Sequence, residues 1–245
     1  MDHNTVSEKR LLGSGEWFLK SDSYQRWLDQ GVSFLWLFGF PGSGKSTLCS
    51  TVIDHTIQLQ NEHREVGLAF FYFSFNDVTK QDASGMVRAL LVQLAGQNPQ
   101  VLAELARLRS EYTGTTPPML VFLKCLNEAI SYFSRVFIFL DGLDECPAYG
   151  ARESVLETID TIRRWELRSL NVLVTSRDVQ DIRNSLNLTP DQQISMSIAD
   201  VHDDITKYIL TILHTDSRLK RLLDANLEAK IVSALSVGAQ GMYVL

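Results

Sequence analysis

Phe34-Leu35-Trp36-Leu37-Phe38-Gly39-Phe40-Pro41-Gly42-Ser43-Gly44-Lys45-Ser46-Thr47 is the stretch from which the rest of this chain is read. Its opening is an unbroken apolar run, stopped abruptly by Gly39 and Pro41. A run that short, without polar alternation, is the pattern of a strand buried on both faces, as in a parallel sheet. From Gly39 the residues fit G-x-x-x-x-G-K-[ST], and residues 46–60 then carry Leu48, Val52, Ile53 and Ile57 on one helical face. Strand, glycine-rich loop and helix in that order form a phosphate-binding loop. The glycines permit a tight turn, so that backbone N–H groups point inward at a β-phosphate. The following helix adds the positive end of its dipole at the same spot. Lys45 brings a mobile charge to the β- and γ-phosphates, and the Ser46 hydroxyl suits magnesium. The expected nucleotide-binding residues are Gly39, Pro41, Gly42, Ser43, Gly44, Lys45, Ser46 and Thr47. A chance match to the pattern somewhere in such a chain has a probability on the order of one in a hundred.

Downstream, Val136-Phe137-Ile138-Phe139-Leu140-Asp141 is an apolar strand ending in a carboxylate. Asp141 is expected at the carboxyl end of the sheet, beside the loop, helping to hold magnesium through water. Asp144 and Glu145 follow, and one of them would position or deprotonate an attacking water. Glu145 stands four residues past the metal carboxylate, with Asp144 as its rival; the plainer reading of both is exposed turn charge. Thr175-Ser176-Arg177 ends a further strand, and in an open sheet ligands lie beyond the strands' carboxyl ends. These polar groups are expected to face the same crevice, with Arg177 at the γ-phosphate or, more plainly, a surface arginine.

Strand-like runs at 34–38, 66–75, 136–140, 171–175 and 194–198 alternate with helical patterns at 46–60, 83–95, 101–112, 120–133 and 153–166, and with a short helix through Leu186. Such alternation predicts an α/β fold, a five-stranded parallel sheet with helices on both faces. Residues 1–16 read as a polar arm, and 17–28 have close to helical spacing, with Ser21 or Asp22 placed to cap a helix carrying the second half. From Asp200 onward the pattern is helical, first with Ile205, Ile209 and Ile212 on one face and then over 219–235. The expected organisation is an N-terminal arm and helix (1–30), a nucleotide-binding core (31–200) and a C-terminal helical extension (201–245).

The 245 residues carry a formal charge of -6, from 29 acidic and 23 basic side chains. That balance argues against a dedicated nucleic-acid binder. Arg163-Arg164 and the cluster at 218–221 read as solvated helix faces. The three cysteines have no metal-ligand spacing and the five histidines form no ligand cluster. Neither a disulfide framework nor a zinc site is expected, and the compartment is read as reducing and cytoplasmic. The first ten residues lack the apolar core of a signal peptide, and the apolar runs are too short to span a bilayer, so no membrane partner is expected.

Guanine-specific GTPases need D-x-x-G after the acidic strand, where this chain has Asp144 in place of the glycine. Thr79-Lys80-Gln81-Asp82 matches the guanine motif formally but precedes the acidic strand, whereas that motif should follow it; ATP is therefore favoured over GTP. Motifs of a helicase or a nucleotide kinase are not visible.

Asp141-Gly142-Leu143-Asp144-Glu145-Cys146 resembles the acidic signature of NACHT domains, in which further acids follow the first aspartate. Gly13-Ser14-Gly15-Glu16-Trp17-Phe18-Leu19, then Trp27-Leu28, is similar to the N-terminal part of fungal NACHT proteins. Leu173-Val174-Thr175-Ser176-Arg177 resembles that family's next strand, and Gly241-Met242-Tyr243 a motif near the end of its nucleotide domain. The resemblance covers roughly residues 11–245. It implies an AAA+/STAND-like P-loop NTPase with a C-terminal helical region, a signal-transduction switch akin to heterokaryon-incompatibility and innate-immunity-like receptors. It implies slow hydrolysis of ATP, or GTP, with Mg2+ as cofactor, coupled to a change from closed monomer to open homo-oligomer. Relatives place this domain between an N-terminal effector and C-terminal ankyrin, WD or TPR repeats, so those domains and a winged-helix region are expected to be missing from a truncated chain. By resemblance, residues 13–17 would pack against the base; by size and polarity alone, Trp17, Trp27 and Trp36 are packing residues. The alternative is a nucleotide-holding module without useful catalysis.

Overall fold

Five strands, β1 (Phe34–Phe38), β2 (Val66–Tyr72), β3 (Arg135–Asp141), β4 (Leu170–Ser176) and β5 (Gln193–Ser195), form one sheet in the order β2-β3-β4-β1-β5. Every pairing in it is parallel. The structure, a computed structural model, describes residues 3–10, 13–29, 33–196, 198–220 and 222–239. Gly241-Met242-Tyr243 lies outside the described residues. Along the chain the helices are α1 (His3–Lys9), α2 (Glu16–Leu19), α3 (Asp22–Asp29), α4 (Lys45–Glu62), α5 (Ala83–Ala95), α6 (Pro99–Glu111), α7 (Met119–Ser131), α8 (Ala151–Arg163), α9 (Gln180–Leu186), α10 (Ile198–Thr215), α11 (Ser217–Lys220) and α12 (Ala225–Ala239).

Both faces of the sheet are covered, which is why its central strands are apolar throughout rather than alternating. Met86, Leu90 and Leu94 of α5, Leu126 and Ile130 of α7, Val155 and Ile159 of α8 and Ile182 of α9 bury one face. Phe18, Tyr24 and Trp27, the α4 residues Leu48, Val52 and Ile53, and Ile205, Ile209 and Leu213 of α10 bury the other. The α/β class, the parallel sheet and the covered faces are as the sequence pattern predicts. Among the described residues, no helix is long and apolar enough to cross a membrane.

The strand order positions the site. Strand β1 leads through α4 toward the β2 edge, whereas β4 leads through α9 to β5 on the opposite side of β1. α4 and α9 lie on opposite faces. The two adjacent strands β1 and β4 therefore send their chains apart, leaving a crevice at their carboxyl ends.

Several expected boundaries move. The arm at 1–16 contains a helix: α1 packs on α4, with His3, Ser7 and Arg10 all bonded to the Asp54 carboxylate. Its single buried apolar residue, Val6, gave no periodic signal. The helical stretch at 17–28 is α2 and then α3, the helix of the second half beginning as expected at the Ser21 cap, whose hydroxyl accepts from the Tyr24 N–H at 3.3 Å. The fifth strand stops at Ser195 because α10 already begins at Ile198. The helix expected over 219–235 is two, α11 and α12. Arg163 is not simply solvated: its guanidinium lies 4.9 Å from the Phe34 ring centroid and donates to the Leu186 carbonyl at 2.6 Å.

Candidate nucleotide site

Gly39 to Gly44 links β1 to α4 across the crevice. Gly42 and Gly44 have φ of 77° and 86°, the left-handed conformation that glycine adopts without strain. Ser43 is fully buried between them, and Pro41 lies at the loop's outer edge, in a cleft of about 600 Å³ shared with Phe40, Arg152, Arg177, Val179 and Met196. The Lys45 ammonium is held by the loop itself, donating to the carbonyls of Gly39 at 2.9 Å and Phe40 at 2.8 Å. Burial lowers its pKa, opposed by Asp144 and Asp141. Thr47 lies in the first turn of α4, where its carbonyl accepts from Thr51 at 3.0 Å.

Strand β4 lies between β1 and β3, so loop and acidic strand are not neighbours, yet their side chains meet. Ser46 Oγ donates to Asp141 Oδ2 at 2.6 Å. Thr175 Oγ1, from the intervening strand, donates to Asp141 Oδ1 at 2.7 Å and accepts from the Gly142 N–H at 3.0 Å. Asp141 is 4% exposed. Burial raises its pKa, and the two hydroxyls and Lys45 oppose that rise. The Cys49 thiol, one turn beyond Ser46, faces the same carboxylate, and burial followed by that charge holds it well above the usual thiol range.

Asp144 and Glu145, expected as rivals, are placed differently. Asp144 is buried and bonded to Arg177 twice, accepting from its backbone N–H at 2.8 Å and from its Nε at 2.6 Å. Glu145 is half-buried and accepts from the Phe75 backbone N–H. Burial raises its pKa from the ordinary value, opposed by that N–H and assisted by Asp144 and Asp141. A carboxylate whose pKa is raised is a stronger proton acceptor than an ordinary one.

Loop, Asp141, Asp144, Glu145 and Arg177 thus converge on one end of the sheet. Ser176 does not join them. Strand alternation turns it to the other face, where its hydroxyl accepts from Trp36 Nε1 at 2.8 Å. Trp27 and Trp36 are core residues, while half-buried Trp17 packs edge-on against Phe18. The misplaced guanine motif has a structural role: Asp82 accepts from the Gly85 N–H at 2.6 Å and caps α5. Thr175 faces the crevice as expected, and Arg152 is the polar residue at this site that the sequence did not single out. An arginine in an ordinary helical pattern gives no signal.

The donor set fits a magnesium triphosphate. A hydroxyl and a buried carboxylate meet at a helix N-terminus, beside an ammonium and a loop lined by N–H groups. Magnesium takes one or two protein oxygens and completes its shell with phosphate oxygens and water. Among the described residues, no group of three or more His, Cys, Asp or Glu could hold a metal unaided. Ser46 and Asp141 would hold the metal, and 39–47 the phosphates. The bound metal would supply charge neutralisation at the phosphates.

Comparison with known proteins agrees with this fold. The sequence profile described as nephrocystin 3, N-terminal, matches residues 13–177. The vegetative incompatibility protein HET-E-1 of Podospora anserina is 24% identical over 243 residues, covering 93% of this chain; the chain spans 17% of that relative's length. Among solved structures, the ORC1 protein of Aeropyrum pernix, determined in complex with DNA, superposes with a TM-score of 0.50 at 13% identity, over 98% of this chain and 64% of that one. At that identity the likeness is one of fold.

Proposed function

The chain belongs to the nephrocystin 3 N-terminal family and has the fold of a NACHT-like P-loop NTPase, and from this we propose that it is a nucleotide-dependent switch that binds a magnesium triphosphate and hydrolyses it slowly. The observation that carries the reading is Asp141, a buried carboxylate held between the Ser46 hydroxyl of the loop and the Thr175 hydroxyl of β4. In this reading Lys45 and the loop N–H groups bind the phosphates, Ser46 and Asp141 hold Mg2+, and Glu145 directs water. Arg177 leaves Asp144 for the γ-phosphate, so the two carboxylates have separate roles. The switch is then a choice of partner for one guanidinium, and the triphosphate biases it by its differential affinity for the two arrangements. ATP is the favoured triphosphate, since the formal guanine motif is spent on capping α5. Residues 31–200 form the core in this scheme and 201–245 the moving helical part. Oligomerisation on activation, in the cytoplasm, with effector and repeat domains as partners, extends the same reading to a longer protein.

A second reading, a nucleotide holder without turnover, is favoured by the closeness of the Arg177–Asp144 pair. Hydrolysis of labelled ATP and GTP with magnesium, alongside calorimetric binding, separates the two. The switch predicts slow turnover in the wild type, loss of binding in Lys45→Ala, and binding without turnover in Glu145→Gln. Tight binding with no wild-type turnover selects the holder and removes the catalytic role of Glu145.

A further inference from the structure

Arg152 of α8 has a side chain only 9% exposed, an unfavourable place for a guanidinium unless its donors are matched. They are. Its Nη2 donates to the carbonyls of Asp144 and Cys146, both at 2.7 Å, its Nε to Cys146 at 3.1 Å, and its Nη1 to the Asp181 carboxylate of α9 at 2.9 Å. The acidic turn's own backbone bonds run from the Glu145 N–H to Gly142 at 2.8 Å and from the Cys146 N–H to Leu143 at 3.3 Å. Those bonds leave the carbonyls on either side of Glu145 to another donor, and buried carbonyls need one. A single planar fork meets both. The Asp144 side chain is meanwhile held by Arg177, so the turn's backbone and its carboxylate have different arginines.

We propose that Arg152 is a positioning residue that clamps the backbone on both sides of Glu145, so that Glu145 keeps its place when Arg177 exchanges Asp144 for another anion. The role assigned to Glu145 rests on the switch reading; the clamp itself does not. The division has a physical logic. If Arg177 alone organised the turn, its departure would also release Glu145, and sensing would undo catalysis. With Arg152 on the carbonyls, only a side-chain pair has to break. The link to Asp181 ties the same guanidinium to α9, the helix that follows Arg177, and so holds the two arginines' segments at a fixed separation.

The test uses the full chain with Arg152→Met, which keeps an unbranched side chain but removes every donor, Arg152→Lys and Asp181→Asn. Amide hydrogen exchange over residues 142–146 is measured without nucleotide, and steady-state turnover with magnesium ATP. The clamp predicts exchange at Glu145 and Cys146 faster by about tenfold in Arg152→Met. It predicts kcat lowered by about tenfold or more with KM changed by no more than about twofold, because the phosphate loop is untouched. Arg152→Lys, a point charge without the fork, falls between Met and wild type in exchange and keeps the chain folded if the Met variant does not. Asp181→Asn leaves the carbonyl bonds and stays within about threefold of wild type in both measurements. Unchanged exchange in both Arg152 variants overturns the clamp. So does a KM that rises in step with the fall in kcat. If the wild type shows no turnover, the switch reading fails alone and the exchange at 142–146 still decides the clamp.

Discussion

Asp141 shows at the scale of one residue how this site is both readable and costly. It closes an apolar strand, and its carboxylate is buried between two hydroxyls, with Lys45 near enough to favour its charge. Burial nevertheless wins, and its pKa lies above the ordinary value. The folded chain then holds this proton to higher pH than the unfolded chain does. Stability linked to Asp141 is fully present below the unfolded value of 3.8 and is lost as pH rises through the folded one. At neutral pH the charged group is a net burden on folding, retained for what it binds. Asp141→Asn is expected to raise the melting temperature by a few degrees, at about 2–4 °C per kcal/mol for a domain of this size. The same variant is expected to lose magnesium-dependent nucleotide binding, and to flatten the fall in stability above the unfolded value of 3.8 that the raised carboxylate predicts for the wild type. Thermal melts across that range, with binding calorimetry, check it; a lower melting temperature would mean that the hydroxyl bonds outweigh the burial penalty. Asp141 was legible because the apolar strand that it ends follows a phosphate loop in the same chain. Its two hydroxyl partners, Ser46 and Thr175, were also named from the sequence, whereas Arg152 in α8, which bonds the turn that follows, has no sequence feature that marks it as buried.

Elements with strong periodicity were placed closely, and those without it were not. The span of α5 matches the expected 83–95 because seven of its residues are buried on a regular face between the Asp82 cap and Gly96. By contrast α1 carries only Val6 toward the core and is docked by polar contacts, which leave no period in the sequence. His3 Nε2 meets Asp54 Oδ1 at 3.0 Å, Ser7 and Arg10 bond to Oδ2, and His3 Nδ1 lies 3.2 Å from the Tyr72 hydroxyl. Beyond it, Gly15 passes so close to α4 that a Cβ there would stand 2.7 Å from Leu48 Cδ1, while its N–H donates to the Asp204 carboxylate of α10 at 2.7 Å. The N-terminal segment is thus a strap joining the phosphate-loop helix to the C-terminal helices. Asp54→Ala removes the acceptor shared by three donors. One hydrogen bond to a charged group contributes about 1.5–3 kcal/mol, so exchange protection over residues 3–10 should fall by about tenfold or more, with the core amides of β3 unaffected. Uniform loss of protection across the chain would instead show that α1 is part of the cooperative core.

For the whole molecule, the alternation of strands and helices predicted the class but not the order β2-β3-β4-β1-β5, which depends on pairings between residues more than a hundred positions apart, such as Leu37 with Thr175. That order draws the nucleotide site from segments dispersed through the chain: the loop at 39–47, the acids at 141–145 and the end of β4. A ligand that bridges them stabilises the fold as a unit, since unfolding any of these segments releases it. Magnesium ATP at about 100 times its Kd should add about 2.7 kcal/mol, or roughly 5–10 °C in melting temperature. Lys45→Ala should abolish the shift. A chelator should shrink it, because Ser46 and Asp141 act on the nucleotide only through the metal in this reading. Magnesium GTP, run in parallel, should give the smaller shift if the base is read as adenine. A shift of equal size in wild type, Lys45→Ala and chelator would place the nucleotide away from the phosphate loop, and the convergence at the carboxyl ends of β1, β3 and β4 would then be a structural arrangement of acids and bases without a ligand to organise.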